Sequence, residues 1–82
     1  MPTISCFYGI VIVMYPNDHN PPHVHAITQE HNATFLISTG ELSEGDFPPK
    51  GRKMVKEFIL INQKELEDMW ESKEYVKLPP IE

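Results

Sequence analysis

Eighty-two residues, 40% of them hydrophobic, predict one folded domain over residues 1–82, too apolar for disorder and with a core thin enough to invite association with a second copy. No apolar run approaches the roughly 18 residues of a membrane span, and no basic leader precedes a small-residue cleavage site, so a cytoplasmic protein without membrane contact is expected. A net charge of −5 argues against general nucleic-acid binding, which relies on Lys and Arg to displace phosphate counterions.

Residues 1–47 read as the β half. The only cysteine, Cys6, excludes an internal disulfide, suits a reducing compartment and is expected to be a small core hydrophobe. FYGIVIVMY, residues 7–15, is β-branched and aromatic without polar alternation, which predicts a strand buried on both faces and central in its sheet. Gly9 inside it suggests a bulge or a close backbone approach. The strand stops at Pro16, where Asn17, Asp18 and Asn20 supply turn chemistry. Pro21-Pro22 then forces a stiff, extended lead into HVHAITQ, a second strand. EHN, residues 30–32, reads as a hairpin turn with His31 at the surface, and ATFLIST, residues 33–39, as a third strand. Gly40 and Gly45 bracket ELSE, a short fourth strand or a loop.

DFPP leads to the helical half, residues 48–74. Pro49 suits the first turn of a helix, and Met54, Val55, Phe58, Ile59 and Ile61 follow as an apolar stripe of helical period. Asn62 and Glu65 have the spacing of a capping box, which predicts a second helix starting there, with Leu66, Met69 and Trp70 as its apolar face. The tail YVKLPPIE, residues 75–82, is apolar enough to dock on another surface, a second subunit included. The predicted fold is therefore α+β: a small antiparallel meander of three to four strands, then a helical pair.

The functional interest lies in NDHNPPHVHA, residues 17–26, which packs three histidines, an aspartate and a Pro-Pro pair into ten positions. His23 and His25, two apart at the start of a strand, point to one face, leaving Val24 and Ala26 for the other. Asp18 and His19, across the Pro-Pro corner, can fold back toward the imidazoles. His23, His25 and Asp18 thus match the ligand set of a divalent zinc, iron or manganese site. Three readings stay open: purely structural hydrogen bonding, a metal site, and direct recognition of a polar or anionic ligand by Asp18, His19, Asn20, His23 and His25. Histidine titrates near neutrality, so acid–base chemistry is permitted. No nucleophile lies beside the histidines in sequence.

Residues 1–49 contain no Lys or Arg, and four of the seven basic residues (Lys50, Arg52, Lys53, Lys56) then fall within seven positions. Lys50, Arg52 and Lys53 sit at the predicted start of the first helix, where free N–H groups and the helix dipole favour an anion such as phosphate. A solvated helical face is the plainer reading of the same cluster.

The pattern MPTIS-FYGI-I-MY--DHNPPHVHA over residues 1–26 resembles the opening of a bacterial family known only as domain of unknown function 4160. Glu44, Gly45 and Pro48 match its Glu-Gly-x-x-Pro element, and ELEDMW, residues 65–70, follows its pattern in the helical half. Position by position, Asp18, His19, Asn20, Pro21, Pro22, His23, His25 and Ala26 carry the motif. The resemblance implies a short cytoplasmic protein often encoded beside a second small protein, a setting that suggests toxin–antitoxin pairs or mobile elements; ligand capture in phage defence would fit a binding role. It implies no established activity. Relatives usually carry Arg where this chain has Cys6, and often Arg where it has Val13. Phosphate-binding equipment in such relatives would be missing here.

Three functions follow as expectations. The first is a homo-oligomeric binding module whose loop takes a polar or anionic, nucleotide-like ligand. The second is a metal- or histidine-dependent ribonuclease toxin, against which the scarcity of Lys and Arg counts. The third is an antitoxin-type interaction partner that docks through its tail.

Overall fold

The first turn among the described residues is built from Tyr8 and Gly9, both with positive φ (50° and 76°). Two consecutive left-handed residues make the type I′ turn that matches the twist of a two-residue hairpin. Strand β1 (Thr3–Phe7) therefore folds back on β2 (Ile10–Val13), with Phe7 opposite Ile10. The computed structural model describes residues 3–81. The stretch 7–15 is thus not one central strand: it holds the hairpin turn and the second arm, and β1 is an edge. Gly9 is a turn residue rather than a bulge. The sheet's irregularity falls instead between Thr3 and Ser5, where the register shifts.

Three more strands complete the meander: β3 (His23–Ile27), β4 (Asn32–Leu36) and β5 (Leu42–Asp46). All neighbours are antiparallel, in the order β1-β2-β3-β4-β5. The fold class is α+β as predicted, with five strands instead of three to four. β3 is shorter than HVHAITQ because Thr28 already belongs to the turn. Its N–H donates to the His31 carbonyl (2.8 Å), and its hydroxyl accepts from the N–H groups of Glu30 and His31 (3.3 and 2.9 Å). β4 ends at Leu36, whose carbonyl accepts from Gly40 N–H (2.8 Å). ELSE resolves into β5, held close to β4 at Gly45. There φ is +90°, and a Cβ would collide with the Asn32 carbonyl oxygen.

Helices α1 (Pro49–Ile61) and α2 (Gln63–Ser72) cover one face of the sheet. Ile4, Ile12, Met14, Val24, Phe35 and Ile37 meet Val55, Phe58, Ile59, Leu66 and Trp70 in a single buried cluster. Phe58 stacks on Phe7 with ring centroids 5.1 Å apart. The capping box does not form. Asn62 instead turns its side-chain amide onto the Phe58 carbonyl (3.0 Å), closing the C-terminal end of α1 and leaving no side-chain cap for α2. Ile61 lies off the buried stripe, 65% exposed. Cys6 is exposed as well, because its neighbour Phe7 faces the core and strand alternation sends Cys6 to the outer face with its partner Val11.

The tail docks on its own chain. Leu78 N–H donates to the Ile4 carbonyl on the β1 edge (2.8 Å), and Tyr75, Leu78 and Ile81 pack against the core. No helix among the described residues is long and apolar enough to cross a membrane.

Candidate functional site

Alternation along β3 sends Val24 and Ala26 fully into the core and leaves His23 and His25 half-buried on the outer face. Antiparallel register extends that face sideways. His25 lies opposite Val13 on β2 and Thr34 on β4, Thr34 lies opposite Glu44 on β5, and His23 lies opposite Leu36. The loop between β2 and β3 closes over one end of this row. It is anchored by Asp18 N–H donating to the Tyr15 carbonyl (3.3 Å) and by the Pro22 carbonyl accepting from Ile37 N–H (3.1 Å). The Asn20–Pro21 bond within it is cis.

Folded back in this way, Asp18 Oδ2 lies 3.0 Å from His23 Nε2 and 2.8 Å from His25 Nε2. His23 Nδ1 donates to the Pro21 carbonyl at 2.8 Å. The His23 ring stands 5.1 Å from both the His25 and the Trp70 rings, and Tyr15 meets His25 edge-on at 4.5 Å. Trp70 Nε1–H reaches across from α2 to the Asn20 side-chain oxygen (3.3 Å), so the helical layer helps to hold the loop. Partial burial pushes the Asp18 carboxyl up. The hydrogen bond from His25 and the charges of His25 and His23 outweigh that push and hold the group below its ordinary value.

A cavity of about 310 Å³ opens over this cluster, lined by Asp18, His19, Asn20, His23 and His25 from the loop side. Thr34, Ser43 and Glu44 contribute its far wall. The structure therefore brings the three loop residues Asp18, His19 and Asn20 and the β3 residues His23 and His25, all singled out in the sequence, to one pocket. It does not bring the basic cluster there. Arg52, Lys53 and Lys56 line a separate cavity of about 390 Å³ with Gly40, Glu41 and Leu42, where Lys56 pairs with Glu41. Lys50 borders a third cavity with Tyr8, Met54 and Ile81. Thr34, Ser43 and Glu44 escaped the sequence reading because only the strand register connects them to the histidines. The alternation of Thr34 along ATFLIST was visible, but its pairing with His25 and Glu44 was not.

Chemically, two imidazole nitrogens and one carboxylate oxygen, each within 4.8 Å of the others, can hold one cation between them. These features define a small α+β domain with a two-histidine, one-carboxylate pocket on its open sheet face. The chain belongs to the family described as Domain of unknown function (DUF4160), whose family model matches residues 9–71 and so spans the histidine loop, α1 and all but the last residue of α2. No curated protein and no solved structure matches the chain.

Proposed function

We propose that the chain is a binding module whose outer-face pocket takes a small polar ligand, cationic or neutral in preference to anionic. One observation carries this reading: Asp18, His23 and His25 converge at a cavity of about 310 Å³ that holds a second carboxylate, Glu44, and no Lys or Arg. A phosphate-bearing ligand would face two carboxylates there, with only imidazoles to offset them. The nucleotide-like ligand expected at the histidine loop loses support, because Lys50, Arg52 and Lys53 border other cavities and add no positive charge there. A ribonuclease loses support for the same reason. Both imidazoles also direct Nε2 at Asp18 and not at the Thr34 or Ser43 hydroxyls of the wall, so neither hydroxyl has the adjacent base of an activated nucleophile. An antitoxin-type role through the tail is weakened by the tail's packing on β1.

The test is thermal melting and Trp70 fluorescence of the purified chain against spermidine, arginine, choline, AMP and divalent metal ions. Trp70 is the chain's single tryptophan and its ring stands 5.1 Å from the His23 ring, which makes it a local reporter. A response to a cationic or neutral probe that His25→Ala removes supports the proposal. Silence from every probe sinks it. So does AMP binding that is lost in Lys53→Ala but kept in His25→Ala.

A further inference from the structure

We infer that the occupant of this pocket is a divalent transition-metal ion held by Asp18 Oδ2, His23 Nε2 and His25 Nε2, with the remaining coordination positions open to the cavity. The inference rests on the pocket reading above and names its ligand.

The argument starts from hydrogens. The Pro21 carbonyl can only accept, so His23 Nδ1, 2.8 Å away, must carry a proton. In a neutral imidazole the other nitrogen, Nε2, is then a bare lone pair. That lone pair faces Asp18 Oδ2 at 3.0 Å, and the same oxygen already accepts from His25 Nε2 at 2.8 Å. Two acceptors at hydrogen-bond distance repel unless positive charge lies between them. The charge is either a second proton on His23 or a bound cation. A metal ion satisfies all three atoms at once, because it accepts electron pairs from both imidazoles and from the carboxylate.

The surroundings favour the metal. A backbone carbonyl fixing the far nitrogen of a histidine is the usual support of a metal-bound imidazole, since it sets the tautomer and aims the ligand lone pair. At metal–ligand distances of about 2.0–2.2 Å, the ligand atoms of one tetrahedral or octahedral ion stand roughly 3–3.5 Å apart. The observed separations of 3.0 and 2.8 Å from Asp18 to the two histidines are close to that spacing, and all three ligand atoms lie within 4.8 Å of one another. All three side chains are only partly accessible, at 13, 21 and 26% for His23, His25 and Asp18. Two imidazoles with one carboxylate suit Zn(II), Fe(II), Mn(II) or Co(II) and are poor ligands for Mg(II) and Ca(II), which demand oxygen. The chain's net charge of −5 adds a general attraction for cations.

Three protein ligands leave an ion coordinatively unsaturated, in the manner of an exchangeable site and unlike a closed structural one. The open side faces His19, Asn20, Thr34, Ser43 and Glu44. A second polar molecule can then bind through the metal, with Glu44 and the two hydroxyls as its further contacts.

The experiment is calorimetric titration of the full, metal-stripped chain with ZnCl₂ and CoCl₂, with Co(II) absorption read in parallel. The expected result is one ion per chain, a visible Co(II) spectrum of nitrogen–oxygen ligation, and no binding of MgCl₂. His25→Ala and Asp18→Asn should each weaken binding by about 100-fold or more, beyond the effect of losing outer contacts alone. His31→Ala, a histidine that does not line this cavity, should leave it within a few-fold. His25→Gln, with circular dichroism on each variant, separates a lost ligand from a lost fold. Zn(II) and Co(II) silence while spermidine, arginine or choline binds would overturn the metal and leave the pocket standing. Silence from both sets of probes would remove both. Binding that survives His25→Ala and disappears in His19→Ala would also overturn the ligand assignment.

Discussion

Val24 and Ala26 leave β3 toward the helices and are fully buried, whereas His23 and His25, interleaved with them, leave it toward a half-open pocket. The same five-residue strand thus serves two kinds of specification. On the inner face, apolar volume is what counts: a side chain of similar size keeps most of the burial energy, because dispersion and the hydrophobic effect are not directional. On the outer face single atoms count, since moving Asp18 Oδ2 by an ångström or replacing one nitrogen changes which groups it can satisfy. The contrast predicts that stability and binding separate cleanly by face, and each prediction below attacks that separation.

The largest effect belongs to the inner face. Phe58 is fully buried and stacked on Phe7, so Phe58→Ala should cost about 3–5 kcal/mol in urea unfolding. Metal affinity of the fraction still folded should be unchanged. A cost under about 1 kcal/mol would mean that α1 does not seal the sheet as described. Gly45→Ala comes next and should break the separation, because it acts on both faces. A Cβ there collides with the Asn32 carbonyl oxygen on a backbone with φ +90°. Pushing β5 away from β4 should cost about 1–3 kcal/mol and also carry Ser43 and Glu44 out of the pocket wall. Loss of stability without any change in binding would show that the far wall contributes nothing.

What could be read from the sequence divides along similar lines. The alternation of HVHA announced its two faces, and Pro49 announced the start of α1, because both signals are local and periodic. The hairpin at Tyr8-Gly9 was hidden because tyrosine is a poor candidate for a left-handed φ, and because the apolar run continued through the turn as though it were one strand. Cys6 and Asn62 were misread for a related reason. Burial of the first depends on the hairpin that places it, and the second has two helix ends to choose from and serves the earlier one. Asp18, His19, Asn20, His23 and His25 were legible as a cluster, since they fall within eight positions. The wall residues Thr34, Ser43 and Glu44, and the distance separating the basic cluster from the histidines, are properties of the sheet register and of the helix packing.

Between the two faces stands Trp70, buried in the core and bonded through Nε1 to Asn20 of the loop. Trp70→Phe keeps most of the apolar contact and deletes the donor. The expected cost is about 1 kcal/mol, with a measurable loss of metal affinity as the loop loosens. Unchanged affinity would make the loop self-supporting.

Acid titration tests the outer face by itself. An unfolded Asp18 titrates near its ordinary value of 3.8, and in the folded chain the hydrogen bond from His25 and the two histidine charges, set against partial burial, hold it lower. Folding therefore favours the ionised form, so this contribution is present in full above the ordinary value and is lost as pH falls through the lowered one. Stability of the metal-free chain followed by urea unfolding should decline over that acid range, and Asp18→Asn should flatten the decline. An identical decline in the variant would show that other carboxylates carry it.

The smallest effect is expected at the second cavity, and it is the sharpest control for the first. Glu41 is held below its ordinary value by the hydrogen bond from Lys56 and then by that group's charge, but both partners are exposed. The pair therefore stabilises the fold only above the ordinary carboxylate range and loses that effect as pH falls through the lowered value. It should also fade at 1 M salt, where the screening length is about 3 Å. Glu41→Gln should lower the melting temperature only marginally, less than any substitution above. Because this cavity shares no lining residue with the histidine pocket, Zn(II) affinity should be identical to that of the unsubstituted chain. A change in affinity on Glu41→Gln would mean that the two cavities communicate through β5, whose residues Leu42 and Ser43 line one each, and the pocket would then have to be treated as part of a larger surface.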